Sequence, residues 1–332
     1  MQADETTMGR AIALAAGVRS TTSPNPWVGA VVVTADGATF DGATEPPGGR
    51  HAEVVALDAA RTAGAPLAGA TVYSTLEPCS HVGRTPPCTD ALIDAGVARV
   101  AIGIEDPDEQ VAGRGIALLR AAGIAVDVGV GAQDVRMQLA PYLKHRTTGR
   151  PWVLLKLAAS LDGRTAAPDG TSKWITGAAA RADAHRLRAE SDAVIVGAGT
   201  VRADDPALTV RDVDGVDPLR VVLGRAPTEA RVHPCVELDG PLPAVLDELG
   251  RRGVVQAMIE GGATVAGAFH REGLVDRYVV YLAPALFGGD DGRPLLAGPG
   301  AARIDDLWRG RITSVEQLGD DLRVDLEPCS RG

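Results

Sequence analysis

The sequence predicts two successive α/β domains. Three observations carry that expectation. The chain has 332 residues, and at ~100–200 residues per domain this length suits two cores. Apolar strand-like runs alternate with helix-length segments in both halves. A polar, basic break, KHRTTGRP from Lys144 to Pro151, separates them, so the domains are expected at 1–145 and 150–332.

The first half opens with a helix over 5–18, its apolar face formed by Ile12, Ala15 and Ala16. Val28 to Thr34 reads as a buried strand, and Asp36-Gly37 as the hairpin turn into a second. Helix, strand, helix, strand, helix and strand then follow at Ala52–Ala63, Thr71–Thr75, Cys88–Ala95, Arg99–Ile104, Gly115–Ala122 and Ile124–Val128. Glycines Gly96 and Gly123 mark helix ends, where a left-handed residue releases the chain into the next strand. In the second half, strands are expected at Trp152–Ala158, Ala193–Val196, Leu219–Leu223, Ala257–Glu260 and Arg277–Leu282. Helices are expected at Gly177–Ala189, with Thr176 as N-cap, and at Thr264–Arg271. TSVEQLGDDLRVDLE, 313–327, alternates around Gly319-Asp320 and reads as a closing hairpin. The halves show no repeat of one another.

Composition narrows the function classes. With 45% hydrophobic and 23% charged residues the chain is that of a globular protein. Its 33 Lys and Arg against 43 Asp and Glu give a net charge of −10, with three Phe, four Trp and four Tyr to offer as stacking faces. That balance argues against a polynucleotide or an anionic membrane as partner. No apolar run approaches the ~18 residues of a membrane span, and the N-terminus lacks a basic segment followed by an apolar one, so a cytoplasmic location is expected. Four cysteines are too few for a disulfide scaffold and read as free thiols or metal ligands.

The chemistry is concentrated in RHAEVVAL, with His51 and Glu53, and LEPCSHVGRTPPC, with Cys79 and Cys88. Any one of these alone reads as a cap or a small buried residue. Together they have the composition of a nucleobase-deaminase site: one His and two Cys hold zinc, a fourth position stays open for water, and a non-ligating Glu beside the His moves protons. Eight residues separate the cysteines, more than the two of the general pattern.

These segments, with SPNPWVGAVVV (23–33) and Asp106-Pro107, resemble the N-terminal half of the bifunctional riboflavin biosynthesis deaminase/reductase family. LKLAASLDGRTA (155–166), SKWITG (172–177), LRAESDAVIVGAGTVRADDPALTVR (187–211) and IEGGATVAGAF (259–269) resemble its reductase half, so the resemblance covers nearly the whole chain. It implies a three-layer cytidine-deaminase-like domain followed by a dihydrofolate-reductase-like one. It also implies zinc-dependent deamination of a diamino-hydroxy-phosphoribosylamino-pyrimidine, then NADPH-dependent reduction of its ribosyl group to ribityl. On this resemblance His51, Cys79 and Cys88 are the zinc ligands, Glu53 the proton shuttle, and Asn25, His81 and Arg84 substrate contacts.

In the second half the resemblance makes Lys156 and Asp204 active-site residues and Ser172, Arg188, Arg211 and Glu260 substrate contacts. The NADPH contacts it implies are Ala158, Trp174, Thr200, Asp204, Gly262, Ala263, Thr264, Val265, Ala266, Gly267 and Ala268. Read without it, Gly261-Gly262 is either a phosphate-approach turn at a helix start or a tight turn. Lys156 is either a functional buried cation or an edge lysine, Trp174 either a cofactor contact or a core aromatic, and Asp204 and Asp205 loop residues before Pro206. GAGT at 197–200 is not a Gly-x-Gly-x-x-Gly fingerprint, which disfavours a Rossmann domain.

The chain departs from the family at Thr44, where a His usually stands seven residues before the metal His, and at Gly224-Arg225, where Asp-Ser usually follows the strand. The alternative these departures leave is an active deaminase with a non-catalytic nucleotide-binding or dimerisation module. The expected partners are a small phosphoribosyl pyrimidine and further copies of the chain, as dimer or tetramer.

Overall fold

The structure, a computed structural model, describes residues 2–83, 85–108 and 111–329. The chain divides into two compact units, Met1–Gly149 and Arg150–Gly332. The first contains α1 (Gln2–Thr22), β1 (Gly29–Val33), β2 (Thr39–Ala43), α2 (Ala52–Thr62), β3 (Thr71–Leu76) and α3 (Cys88–Asp94), then β4 (Arg99–Ile104), α4 (Arg114–Ala121), β5 (Ala125–Val128), α5 (Ala132–Gln138) and α6 (Ala140–Thr148). The sheet order is β2-β1-β3-β4-β5, antiparallel through β3 and parallel beyond it.

Two glycines show how the layers form. Gly29 and Gly42 lie on opposite faces of the β1–β2 ribbon, since Gly29 pairs with Ala43 and Ala30 with Gly42. A Cβ at Gly29 would stand 1.9 Å from the Ala11 carbonyl oxygen of α1, and one at Gly42 would stand 2.1 Å from the Ala52 oxygen of α2. Only residues without a side chain let both helices seat their backbones on the sheet. The seat under α2 fixes where its N-terminus, with His51 and Glu53, meets the sheet. Parallel β3 and β4 end side by side at Leu76 and Ile104, so the loops carrying Cys79 and Asp106 leave from the same edge, where α/β sheets place ligands.

The expected linker is helical over its first part, because α6 runs to Thr148. Lys144 to Thr148 form its polar end, and Pro141 and Tyr142 are its buried residues, too few to register as a helical period. Helix α5 was unread for a similar reason: Val135 is its one buried residue.

The second unit contains β6 (Trp152–Ser160), β7 (Arg164–Ala166), α7 (Ala178–Ala189), β8 (Ala193–Gly197), α8 (Ala198–Asp204), β9 (Leu219–Leu223) and β10 (Val236–Leu238), then α9 (Leu242–Arg251), β11 (Gln256–Ile259), α10 (Ala263–Arg271), β12 (Arg277–Ala283), β13 (Arg293–Pro294), β14 (Gly310–Leu318) and β15 (Asp321–Pro328). Its eight-stranded sheet runs β10-β9-β8-β11-β6-β12-β15-β14, parallel as far as β12 and antiparallel at β15 and β14. Alternate residues of β6 feed two cores: Val153, Leu155 and Leu157 pack with α9 and α10 residues such as Leu246 and Phe269. Leu154 packs on the other face with Ala184 and Leu187 of α7. The hairpin β14–β15 stands where the alternation placed it.

Thr176 is not the N-cap of α7. Gly177 holds that position without a side-chain cap, and its N–H donates instead to the Asp321 carboxylate at 2.7 Å. A carboxylate from the distant hairpin thus replaces the local hydroxyl.

Candidate active sites

His51 occupies the N-cap position of α2 in an extended conformation, φ −78° and ψ 160°. Glu53 follows in the first turn, Cys79 lies just beyond β3, and Cys88 opens α3. Their donor atoms converge: His51 Nδ1 is 3.4 Å from Cys79 Sγ and 3.3 Å from Cys88 Sγ, and the sulfurs are 3.5 Å apart. A tetrahedral zinc with Zn–S of ~2.3 Å and Zn–N of ~2.0 Å needs S···S of about 3.8 Å and N···S of about 3.5 Å. The triangle fits that ion. The far ring nitrogen, His51 Nε2, lies 3.5 Å from Thr85 Oγ1, an outer partner of the kind that orients a ligating imidazole.

Glu53 is buried, 3% exposed. Burial pushes its carboxyl pKa up, against the pull of His51, and Ser74 Oγ donates to Oε1 at 3.2 Å. The hydrogen bond shared by the sulfurs holds Cys79 well below the usual thiol range and, with burial, pushes Cys88 up. The pair therefore already carries thiolate character.

His51, Glu53, Cys79 and Thr85 line a cavity of about 380 Å³ whose walls also include Asn25, Thr44, Glu77, His81, Asp106, Asp108, Tyr142 and Arg146. Arg84 lies outside the described residues. Thr44 is buried; its hydroxyl meets the Val28 N–H at 3.1 Å and the Val28 oxygen at 3.3 Å, which ties the end of β2 to the start of β1.

Two groups of the cavity carry no role in the sequence reading, although Asp106 belongs to one of its quoted motifs. Glu77 accepts backbone N–H bonds from Asp106, Gly113 and Ile116 at 3.0–3.2 Å, so its buried carboxyl is met by amides and ties the loop after β3 to the β4–α4 connection and the first turn of α4. Asp106 accepts from the Tyr142 hydroxyl at 3.1 and 3.2 Å, and burial raises its pKa to about 6. Glu77 was legible only as an acidic residue directly after an apolar strand.

In the second unit Lys156 sits on β6, an interior strand between β11 and β12, which excludes the edge-lysine reading. Burial lowers its pKa, opposed by Glu260, and its ammonium lies 5.8 Å from the centre of the Tyr281 ring. Tyr281 donates to Asp183 at 2.6 Å, and Arg323 reaches the same carboxylate oxygen at 2.8 Å. Arg188 grips Glu260 with two parallel bonds, Nε at 2.8 Å and NH2 at 2.9 Å, and also donates to the Thr209 carbonyl. Burial opposes ionisation of Glu260, yet Arg188 holds its pKa below the usual value.

His185, unassigned from sequence, accepts the Arg211 N–H at 3.0 Å and so anchors the loop carrying that arginine. The Arg211 guanidinium itself reaches Thr209 Oγ1 at 3.0 Å.

The turns after β8 and β11 lie together. Gly197 N–H donates to the Gly261 oxygen at 3.2 Å, and Gly262 N–H donates to Thr200 Oγ1 at 2.7 Å. No side chain caps α10, which leaves the amides at Ala263, Thr264 and Val265 as a natural seat for a dinucleotide phosphate. Deeper in α10, Ala266 and Gly267 are buried and Ala268 lies one residue on. Trp174 is 71% exposed and stacks with Arg181 at 4.6 Å, so it is not a core aromatic. Lys173 beside it donates to the carbonyl of Asp204, the last residue of α8, at 3.3 Å. Ser172 is half-buried in the same loop and Ala158 half-buried on β6. Asp205 adopts φ 40° and accepts the Arg231 N–H at 2.8 Å, a turn role. Arg225 pairs with Glu237 of β10 at 2.7 Å, so this departure braces the sheet edge.

Comparison with known proteins defines the class first. Residues 1–104 match the cytidine and deoxycytidylate deaminase zinc-binding region, and residues 151–324 match the RibD C-terminal domain. A zinc-type deaminase domain is thus fused to a reductase domain. The riboflavin biosynthesis protein RibD of Mycobacterium tuberculosis is 46% identical over 335 residues, covering 96% of each chain. The structure of Acinetobacter baumannii RibD superimposes with a TM-score of 0.91 at 39% identity, covering 98% of this chain and 99% of that one. The diaminohydroxyphosphoribosylaminopyrimidine deaminase/5-amino-6-(5-phosphoribosylamino)uracil reductase of Thermotoga maritima gives a TM-score of 0.90 at 34% identity, with coverage of 98% and 99%.

The chain belongs to the RibD family, bifunctional deaminase/reductases of riboflavin biosynthesis. Its cofactors are zinc and NADPH, and it acts on small molecules. The expected fold, a cytidine-deaminase-like domain followed by a reductase domain, is borne out. No helix among the described residues is long and apolar enough to cross a membrane.

Proposed function

We propose that residues 1–145 hydrolyse the 2-amino group of 2,5-diamino-6-(5-phosphoribosylamino)pyrimidin-4-one at the His51, Cys79 and Cys88 site. On this reading residues 150–332 then reduce the ribosyl side chain to ribityl with NADPH. The observation that carries the reading is the convergence of three donor atoms beside buried Glu53. The Thermotoga relative, a deaminase and a reductase in one chain, supports the same order.

Zinc, when bound to His51, Cys79 and Cys88, supplies a Lewis acid that brings a water near hydroxide at neutral pH. Glu53 would relay two protons in turn, the first from the attacking water to the ring nitrogen and the second from the hydroxyl so formed to the amino group that leaves as ammonia. A carboxyl whose pKa is raised by burial is suited to both transfers. Asn25, His81 and Arg84 hold the substrate. In the second unit Ser172, Arg211 and the Arg188–Glu260 pair orient the substrate, and Lys156 and Asp204 flank the reacting carbon and the nicotinamide. Ala158, Trp174, Thr200 and the segment Gly262 to Ala268 hold NADPH. The reading extends to a cytoplasmic homo-oligomer, dimer or tetramer. The exposed Ile312 and Val315 on edge strand β14 support assembly, and sedimentation of the purified chain as a monomer would overturn that part.

The test follows ammonia release and NADPH oxidation separately with freshly made substrate. Glu53→Gln is expected to slow ammonia release by about 10²–10⁴-fold while reduction of pre-deaminated substrate is unchanged. Full ammonia release by this variant, or less than one zinc per purified chain with no loss on chelation, contradicts the first half. Absence of NADPH oxidation with the deaminated intermediate contradicts the second.

A further inference from the structure

We infer that His185 is a positioning residue of the reductase, an assignment that rests on the reading above, in which Arg211 contacts the substrate. Its neutral ring seats the loop that carries Arg211, and protonation releases that loop, so that acid weakens substrate binding in the second unit. The loop needs such a hold. Among the described residues, the non-glycine positions in the left-handed region are Asp205, Leu208 and Asp212, at φ 40°, 54° and 65°, and all three fall in the segment around Arg211. A side chain disfavours this conformation, which persists only where neighbouring contacts over-determine it.

Contacts along the segment supply that hold. Leu208 is buried in the core with Ala184 and Leu187 of α7, and the Thr209 carbonyl accepts from Arg188. The Val210 N–H donates to Asp217 Oδ1 at 2.7 Å, and the Arg211 N–H donates to His185 Nδ1 at 3.0 Å. His185 and Arg188, one turn apart on α7, thus clasp the backbone on either side of Val210. Of these acceptors the imidazole is the one whose charge changes near neutral pH. A ring nitrogen that accepts carries no proton, so buried His185 is held neutral with its hydrogen on Nε2, 3.9 Å from Asp212 Oδ2. Arg188 NH1 also lies 3.5 Å from Nδ1. A proton on Nδ1 would therefore set one donor against two others. Burial, with the cations Arg188 and Arg211, holds the ring's pKa below its usual value, against Asp212 and Glu260. The acceptor is intact at neutral pH and is lost only in acid.

The experiment follows NADPH oxidation by the full-length enzyme on pre-deaminated substrate from about pH 5 to 8, with His185→Asn and His185→Leu as variants. Asparagine offers an amide oxygen that accepts and does not titrate, and leucine offers no acceptor. At neutral pH His185→Leu is expected to raise KM for the deaminated substrate about 10-fold, the upper weight of one hydrogen bond, with kcat within about twofold. His185→Asn should stay within about twofold of the parent, and both variants should keep the parent's KM for NADPH and its ammonia release. The substrate phosphate itself titrates near pH 6, so the acid effect is read as the ratio of the parent KM to the His185→Asn KM. That ratio should be close to one at neutral pH and rise severalfold in acid. A flat ratio overturns the inference and leaves the reductase reading standing, as does an equal loss in both variants or none in His185→Leu. Should His185→Leu not fold, the ratio alone decides. Failure of the parent to reduce the deaminated substrate at any pH overturns the reductase reading and the inference with it.

Discussion

The two sites are built on different plans. On the proposed reading the first takes its metal donors and its proton shuttle from 38 consecutive positions, His51 to Cys88, and those donors already stand 3.3–3.5 Å apart. On the same reading the second draws on residues from Lys156 to Ala268, and its buried Arg188 is paired with Glu260. A metal site must present its ligands convergently, because a bound ion tolerates little displacement. A site for two large organic ligands instead needs neutralised walls and open backbone amides. Compact motifs therefore mark the first, while dispersed, mutually satisfied residues mark the second.

The comparison is broken most readily at the Arg188–Glu260 pair, whose side chains are 9% and 11% exposed. Arg188→Ala leaves a buried carboxylate with Lys156 and His185 alone to offset it, and should lower the stability of the second unit by about 3 kcal/mol, measured by urea unfolding. A loss below about 1 kcal/mol would mean that the pair is not a desolvated unit.

Asp106 sharpens the contrast from the other side, as a cavity carboxyl with no cation closed upon it. Its folded pKa, about 6, lies above its ordinary 3.8, so between these values the native state binds more protons than the unfolded one. Stability contributed by the protonated group is present below about pH 4 and lost as pH rises to about 6, in all roughly 2–3 kcal/mol. Asp106→Asn keeps an acceptor for Tyr142 and should flatten that slope in a series of thermal melts from pH 4 to 7. A slope unchanged by the substitution would assign it to other groups.

The smallest effect is expected at Thr200, which accepts the Gly262 N–H. Thr200→Val should cost about 1 kcal/mol of stability and raise KM for NADPH severalfold without altering ammonia release. A change in ammonia release with an unaltered KM for NADPH would place Thr200 outside the cofactor site.

Much of the fold was legible because buried strands are short apolar runs. Arg99–Ile104 and Leu219–Leu223 were read to the residue. Helix α9, Leu242–Arg251, was not read although it buries Val245, Leu246 and Leu249, since its Pro-Leu-Pro start looks like loop. Helix α8 is not among the elements expected from the sequence, because GAGT opens a helix of only seven residues. Within the site, His51, Glu53, Cys79 and Cys88 announce themselves by residue type and spacing. Thr85, Glu77 and Tyr142 do not, because threonine, glutamate and tyrosine at such positions are common without any function.

The sequence by itself determined two α/β domains, the His/Cys/Cys donors and the glutamate among them, because apolar periodicity and metal chemistry are local properties of the chain. Tertiary structure alone decided which partners meet across long separations. Tyr142 reaches Asp106 across 36 positions, Arg188 reaches Glu260 across 72, and Tyr281 reaches Asp183 across 98. A buried polar group must find a partner wherever the packed sheet brings one, and no local pattern records which one that will be.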